Sequence, residues 1–221
     1  MNQKHEDPGR VLPVLKNLQI GPCMDAAVDK KNLFVIGSNS IYSFDISSPE
    51  NPVMLGKLSG LGNVRQIEVH DGFAYVTSRE EGVFIIDITN PGKMVKVAHY
   101  DTLELGTGIA VNGSLAAVGN RQYGVEFADI SDPGDPVFLG MVRTGEAQSV
   151  FLKDTLAVVG DWGTKEVVLV DISNPRDPKI ISKVELDGYG DGVFVKDNLC
   201  FAATGHHARG WKIGDGKDSP Y

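Results

Sequence analysis

The chain has 221 residues, 42% hydrophobic and 23% charged, which excludes a wholly disordered polymer and leaves room for one domain or two small ones. No run of 18 apolar residues exists, so no membrane-spanning helix is expected. With 21 basic against 29 acidic residues the net charge is -8, which argues against nonspecific nucleic-acid binding, because phosphates need a basic surface.

Residues 1–11 read as a tail. Met1 to Asp7 carries no apolar h-region, so no signal peptide is written in this chain. The compartment stays open, and an extracellular or cell-surface place would follow only if a leader had been removed. Residues 12–20 read as a strand. Asp7-Pro8-Gly9 followed by Pro13-Val14-Leu15 matches Asp132-Pro133-Gly134 followed by Pro136-Val137-Phe138, which leads an outer strand. Cys23 and Cys200 are too few for a disulfide framework and lack zinc-site spacing. Both read as buried free thiols.

From residue 21 onward the chain repeats itself. One phrase occurs four times: Asp45-Ile46-Ser47-Ser48-Pro49, Asp87-Ile88-Thr89-Asn90-Pro91, Asp129-Ile130-Ser131-Asp132-Pro133 and Asp171-Ile172-Ser173-Asn174-Pro175. A worn fifth copy begins at Asp215. The unit at 61–102 predicts four strands: Arg65 to His70, Phe73 to Thr77, Val83 to Ile88 and Met94 to Tyr100. Asp71-Gly72 supplies a hairpin turn between the first two. The runs are short and β-branched, which disfavours helices. Four strands in about 42 residues describe a β-propeller blade. The repeated Asp reads as a turn cap rather than a catalytic carboxylate.

The expected fold is therefore all-β. It is a five-bladed propeller over residues 12–221, with blades at 21–60, 61–102, 103–144, 145–187 and 188–221 plus 12–20. The N-terminal strand would pair into the last blade, beside Trp211 to Ile213, and close the ring. A segment of a larger propeller is the alternative.

Val168-Leu169-Val170-Asp171-Ile172-Ser173-Asn174-Pro175, then a residue pair, Pro and a β-rich run, resembles the LVIVD repeat family. The resemblance runs from about Leu12 to Pro220. It implies a bacterial or archaeal propeller, often exported, and no defined activity.

One rim should carry short, nearly identical turns. The other should carry the second-to-third strand loops and the unit-to-unit connections, which vary. Candidate ligand-binding residues there are Arg79, Arg121, Trp162, Lys165, Tyr189, Asp191 and Arg209. Trp162 could stack on a sugar or pack across a gap between blades. Gly188, Gly190 and Gly192 read as a close backbone passage, not as a dinucleotide site. His5, His70 and His99 read as structural or tail residues. No P-loop, Gly-x-Ser-x-Gly elbow or His-Glu-x-x-His is present, and no metal or cofactor is expected.

The leading functional expectation is a noncatalytic scaffold, a monomer whose rim takes an acidic glycan or a protein. The alternative comes from weak local similarity to ulvan-lyase-type polysaccharide lyases. That resemblance implies β-elimination on a uronate, with Arg121 or Arg209 neutralising the carboxylate. His206 or His207 would be the base and Tyr123 the acid. A third reading is a module of a larger surface assembly.

Overall fold

The computed structural model describes Val14 and residues 16–204. Four sheets of four strands follow one another along the chain, each antiparallel and in sequential order. The first holds β1 (Asp25–Asp29), β2 (Asn32–Gly37), β3 (Ser40–Asp45) and β4 (Val53–Ser59). The second holds β5 (Val64–His70), β6 (Phe73–Ser78), β7 (Gly82–Asp87) and β8 (Val95–Tyr100). The third holds β9 (Gly106–Asn112), β10 (Leu115–Asn120), β11 (Gly124–Asp129) and β12 (Val137–Val142). The fourth holds β13 (Ala147–Lys153), β14 (Leu156–Asp161), β15 (Glu166–Asp171) and β16 (Lys179–Glu185). A pair, β17 (Gly192–Lys196) and β18 (Leu199–Ala203), follows. Among the described residues there is no helix. The second sheet matches the strands expected from sequence to within a residue at most ends.

The sheets stack face to face, and the first strand of each packs against the first strand of the next. Side-chain alternation on a strand explains how one sheet serves two neighbours. In the second sheet, Ala74, Val76, Phe84 and Ile86 join Phe34, Ile36 and Ile41 of the first. Tyr75, Val83 and Ile85 instead join Ile109, Ala116 and Val118 of the third. Val125, Phe127, Val159 and Val168 bind the third sheet to the fourth. The far face of the first sheet, Val35, Tyr42 and Phe44, is covered by Leu18 and Ile20. This is the layered, propeller-like arrangement that the repeat predicts.

The repeated phrase is a double turn. Asp45, Asp87, Asp129 and Asp171 each accept, through Oδ1, the backbone N–H two residues on, at 2.8–2.9 Å. Three residues further, Asn90, Asp132 and Asn174 repeat the device on Gly92, Gly134 and Arg176. These side-chain bonds hold the chain while Pro sets its bend. The intervening Ile88, Ile130 and Ile172 are buried, each in the core between its own sheet and the one before or after.

Each third-to-fourth strand pair carries a bulge at the same place. One extra residue, Leu55, Val97, Leu139 or Ile181, has no partner opposite. A bulge increases local twist, which fits an outer strand leaving a radial stack.

The two cysteines depart from expectation. Both are exposed. Cys23 lies in the irregular approach to β1, its thiol turned back on Gly21 O at 3.4 Å. Cys200 sits on β18, the last described strand, where no further described strand covers it. His70 and His99 hold local contacts. His70 faces Asp71 at 3.4 Å, and His99 stacks on Phe84 with ring centroids 4.8 Å apart.

Candidate functional site

The varying loops gather on one rim. Backbone bonds tie each second-to-third strand loop to the connection that enters a sheet. Arg79 N donates to Asn63 O at 2.9 Å, Arg121 N to Leu105 O at 3.0 Å and Trp162 N to Glu146 O at 2.8 Å. The opposite rim is tied in the same manner, with Ile88 N donating to Gly72 O and Ile130 N to Ser114 O.

A cavity of about 410 Å³ opens among the first strands, lined by Met24, Asp25, Arg65, Gln66, Thr107, Gln148, Trp162 and Asp191. Asp25, Gln66, Thr107, Gln148 and Asp191 lie 41, 41, 41 and 43 residues apart, so every repeat contributes its equivalent position. All five are polar. Three of them also clasp sheets together. Asp25 Oδ2 accepts from Ile67 N at 3.0 Å, and Gln66 Oε1 accepts from Ile109 N at 3.3 Å. The Thr107 hydroxyl donates to Ala147 O.

A second set of equivalent positions directly follows the second strand of each sheet: Ser38, Arg79, Arg121 and Trp162. Its chemistry differs from unit to unit. Units two and three present arginines, and unit four presents an aromatic ring. Arg79 and Arg121 lie close enough to Arg65 that, after burial, their charges are what lowers its pKa below the usual guanidinium value. It remains charged at any working pH. On the other side, burial and then the Asp25 carboxylate push Glu68 up to about 7.

The expected site residues divide accordingly. Arg79 and Arg121 belong to this cationic group, and Arg121 also faces Glu146 at 3.4 Å. Trp162 and Asp191 line the cavity. Trp162 stacks on Tyr189 at 4.3 Å between near-parallel rings, and Lys165 lies over Tyr189 at 5.0 Å, so packing between neighbouring units occupies these groups. Tyr123 stands toward the outer edge of its sheet, with the Arg143 guanidinium 5.1 Å above its ring. His206, His207 and Arg209 lie outside the described residues, as do Trp211 to Ile213 and the worn fifth phrase.

Gly190 is a close passage. A Cβ there would meet Asp161 N at 2.7 Å and Asp161 O at 2.8 Å. Sequence reasoning missed Asp25, Arg65, Gln66, Thr107 and Gln148. For all but Arg65 the signal was available as one polar position recurring once per repeat, near the start of the first strand.

The LVIVD repeat model matches residues 61–102, 107–144 and 144–185. This chain belongs to the LVIVD repeat family. The three matches cover the second, third and fourth sheets. No curated protein matches. Among solved structures, a functionally unknown protein from Desulfotomaculum acetoxidans DSM 771 is similar, with a TM-score of 0.67 and 13% identity. The match covers 82% of the present LVIVD chain and 62% of that one. A chain of a nidogen/laminin complex gives a TM-score of 0.57 at 19% identity, over 78% and 66%. The computationally designed Ika4 protein gives 0.53 at 15%, over 72% and 90%. At these identities the likeness is one of fold.

Proposed function

We propose that this LVIVD chain is a noncatalytic binding scaffold, and that its ligand seat is the axial cavity on the variable rim. The observation that carries the reading is the ring of equivalent positions. Five repeats contribute one polar residue each to a single concavity, while the residues that follow the second strands differ from unit to unit. A structural ring alone needs no such variation. A concave site with few convergent polar groups is the usual form of a ligand seat.

We further infer five blades, with the bounds expected from sequence, and a ring closed by the N-terminal strand joining the last blade. Leu18 and Ile20 support this, because they cover the face of the first sheet that a last blade would adjoin.

A glycan and peptide array tests the function. Ligands that bind the parent should be lost in Gln148→Ala and kept in Lys179→Ala, a change on an outer strand. Equal binding by the parent and Gln148→Ala would remove the cavity from the proposal.

A further inference from the structure

We infer that the cavity seats an uncharged sugar, held through its hydroxyl groups by Gln148, Gln66, Arg65 and Asp25 beside the Trp162 ring. This rests on the binding role proposed above and names the chemical class of the ligand.

The lining disfavours simpler ligands in turn. Six of its eight residues are polar, so an apolar molecule would strip water from groups that it could not rebond. An anion would meet one guanidinium, Arg65, against two carboxylates, Asp25 and Asp191. A cation would face Arg65. It would gain little from Asp25, whose oxygens already accept Ala26 N at 2.8 Å and Ile67 N at 3.0 Å. The ligand that fits is neutral and dense in both donors and acceptors.

The hydrogen-bonding capacity left on the wall has that form. The half-buried Gln148 side chain bonds to no described residue, so its carbonyl and its amide N–H groups are both on offer. Gln66, at the equivalent place in the second unit, accepts from Ile109 N through Oε1, which leaves its amide nitrogen to donate. Arg65 has no ion-pair or hydrogen-bond partner among the described residues and adds further donors. Each Asp25 oxygen keeps a lone pair. Backbone irregularity coincides with these residues. The first strand leaves register between Val64 and Ile67, where Arg65 and Gln66 stand, and between Ala147 and Ser149, where Gln148 stands. Bulges re-aim side chains in this way beside binding and active sites.

Carboxamide, guanidinium and carboxylate groups are planar, with two polar atoms side by side. They match hydroxyls on adjacent carbons of a sugar, each of which both donates and accepts. Trp162 supplies an apolar surface for the C–H face of a sugar ring, and its stack on Tyr189 holds it in place. The volume, about 410 Å³, lies within the range of roughly 300–1,000 Å³ usual for small-molecule sites. Convergence of five units on one concavity suits a compact ligand, whereas an extended peptide needs an open-ended groove.

The test is calorimetry on the full chain with glucose, galactose, mannose, N-acetylglucosamine and their disaccharides. Glucuronate and glucosamine serve as charged counterparts and free amino acids as zwitterions. At least one neutral sugar should give saturable heat and bind more tightly than every charged or zwitterionic probe. Raising the ionic strength should change that affinity by less than about twofold, because no net charge is neutralised. Gln148→Ala should weaken it about tenfold, the loss of one or two hydrogen bonds, and should melt with the parent. Lys179→Ala should leave it unchanged. Tighter binding of glucuronate, glucosamine or an amino acid overturns the sugar seat. So does neutral-sugar binding that survives Gln148→Ala. An array peptide lost in Gln148→Ala, with no heat from any sugar, would sink the sugar and keep the scaffold. No array ligand and no heat would sink both.

Discussion

Asp87 shows how much of the repeated phrase is turn chemistry. The Thr89 hydroxyl at 2.6 Å and the Thr89 N–H at 2.8 Å both bond its Oδ1 and hold its pKa below the ordinary carboxylate value. Asp87→Ala should cost about 1 kcal/mol in chemical denaturation and leave ligand binding unchanged. A carboxylate with a lowered pKa contributes stability above its unfolded value, and that contribution is lost as pH falls through the folded value. Glu126 behaves oppositely. It is fully buried, and burial pushes it up to about 7 despite the hydrogen bond from Leu103 N. The fold then favours the protonated acid, so this group's contribution is complete below the ordinary glutamate value of 4.5 and is lost as pH rises through about 7. Glu126→Gln should therefore melt higher relative to the parent at about pH 8 than at about pH 4.5. Melting curves across that window check the sign. The turn role of the aspartates was readable from sequence, because an Asx turn is local. The burial of Glu126 was not, because the strand Gly124–Asp129 reads as alternating until its neighbours on both sides are known.

At the scale of elements, one contact recurs at two of the repeated turns and packs each against the sheet before it. The Ser43 hydroxyl donates to Pro91 O at 2.6 Å, and a Cβ on Gly56 would come within 2.6 Å of the same oxygen. Gly140 stands in the same relation to Pro175 O. Gly56→Ala must therefore push the second sheet's turn away, at about 1–3 kcal/mol, the usual cost of overpacking. Unfolding in urea measures it, and a neutral result would show that the turn yields freely. Ile130→Ala should cost about 3 kcal/mol by the same measurement, since its side chain fills the core between the second and third sheets. Strand order and hairpin turns were legible in the alternation and the Asp-Gly pair. Asp71 and Gly72 both adopt positive φ, at 46° and 82°, as that pair requires. The bulges were not legible. An extra apolar residue such as Leu139 is indistinguishable in sequence from a regular strand residue until its partner strand is in register.

At the scale of the whole molecule, the first sheet's outward face depends on the segment before it. Leu18 and Ile20 cover Val35, Tyr42 and Phe44. Removing residues 1–20 should lower the melting temperature, at a cost of several kcal/mol, and promote association through the bared face. A truncated chain that melts with the parent and sediments as the parent does would rule out that packing role, and with it closure through the N-terminus.

The sequence by itself determined the repeat, its four-stranded content, the turn function of its aspartates and the family. All of these depend on interactions within about 42 residues, where spacing and residue type suffice. Only the tertiary structure decided which residues meet in one cavity. Asp25, Gln66, Thr107, Gln148 and Asp191 are ordinary polar residues in their own units, with no local motif to mark them. They become one site because stacking the sheets turns a position repeated along the chain into neighbours around a single cavity. The same stacking brings Arg65 of the second unit into one cavity with Asp25 of the first and Asp191 of the last.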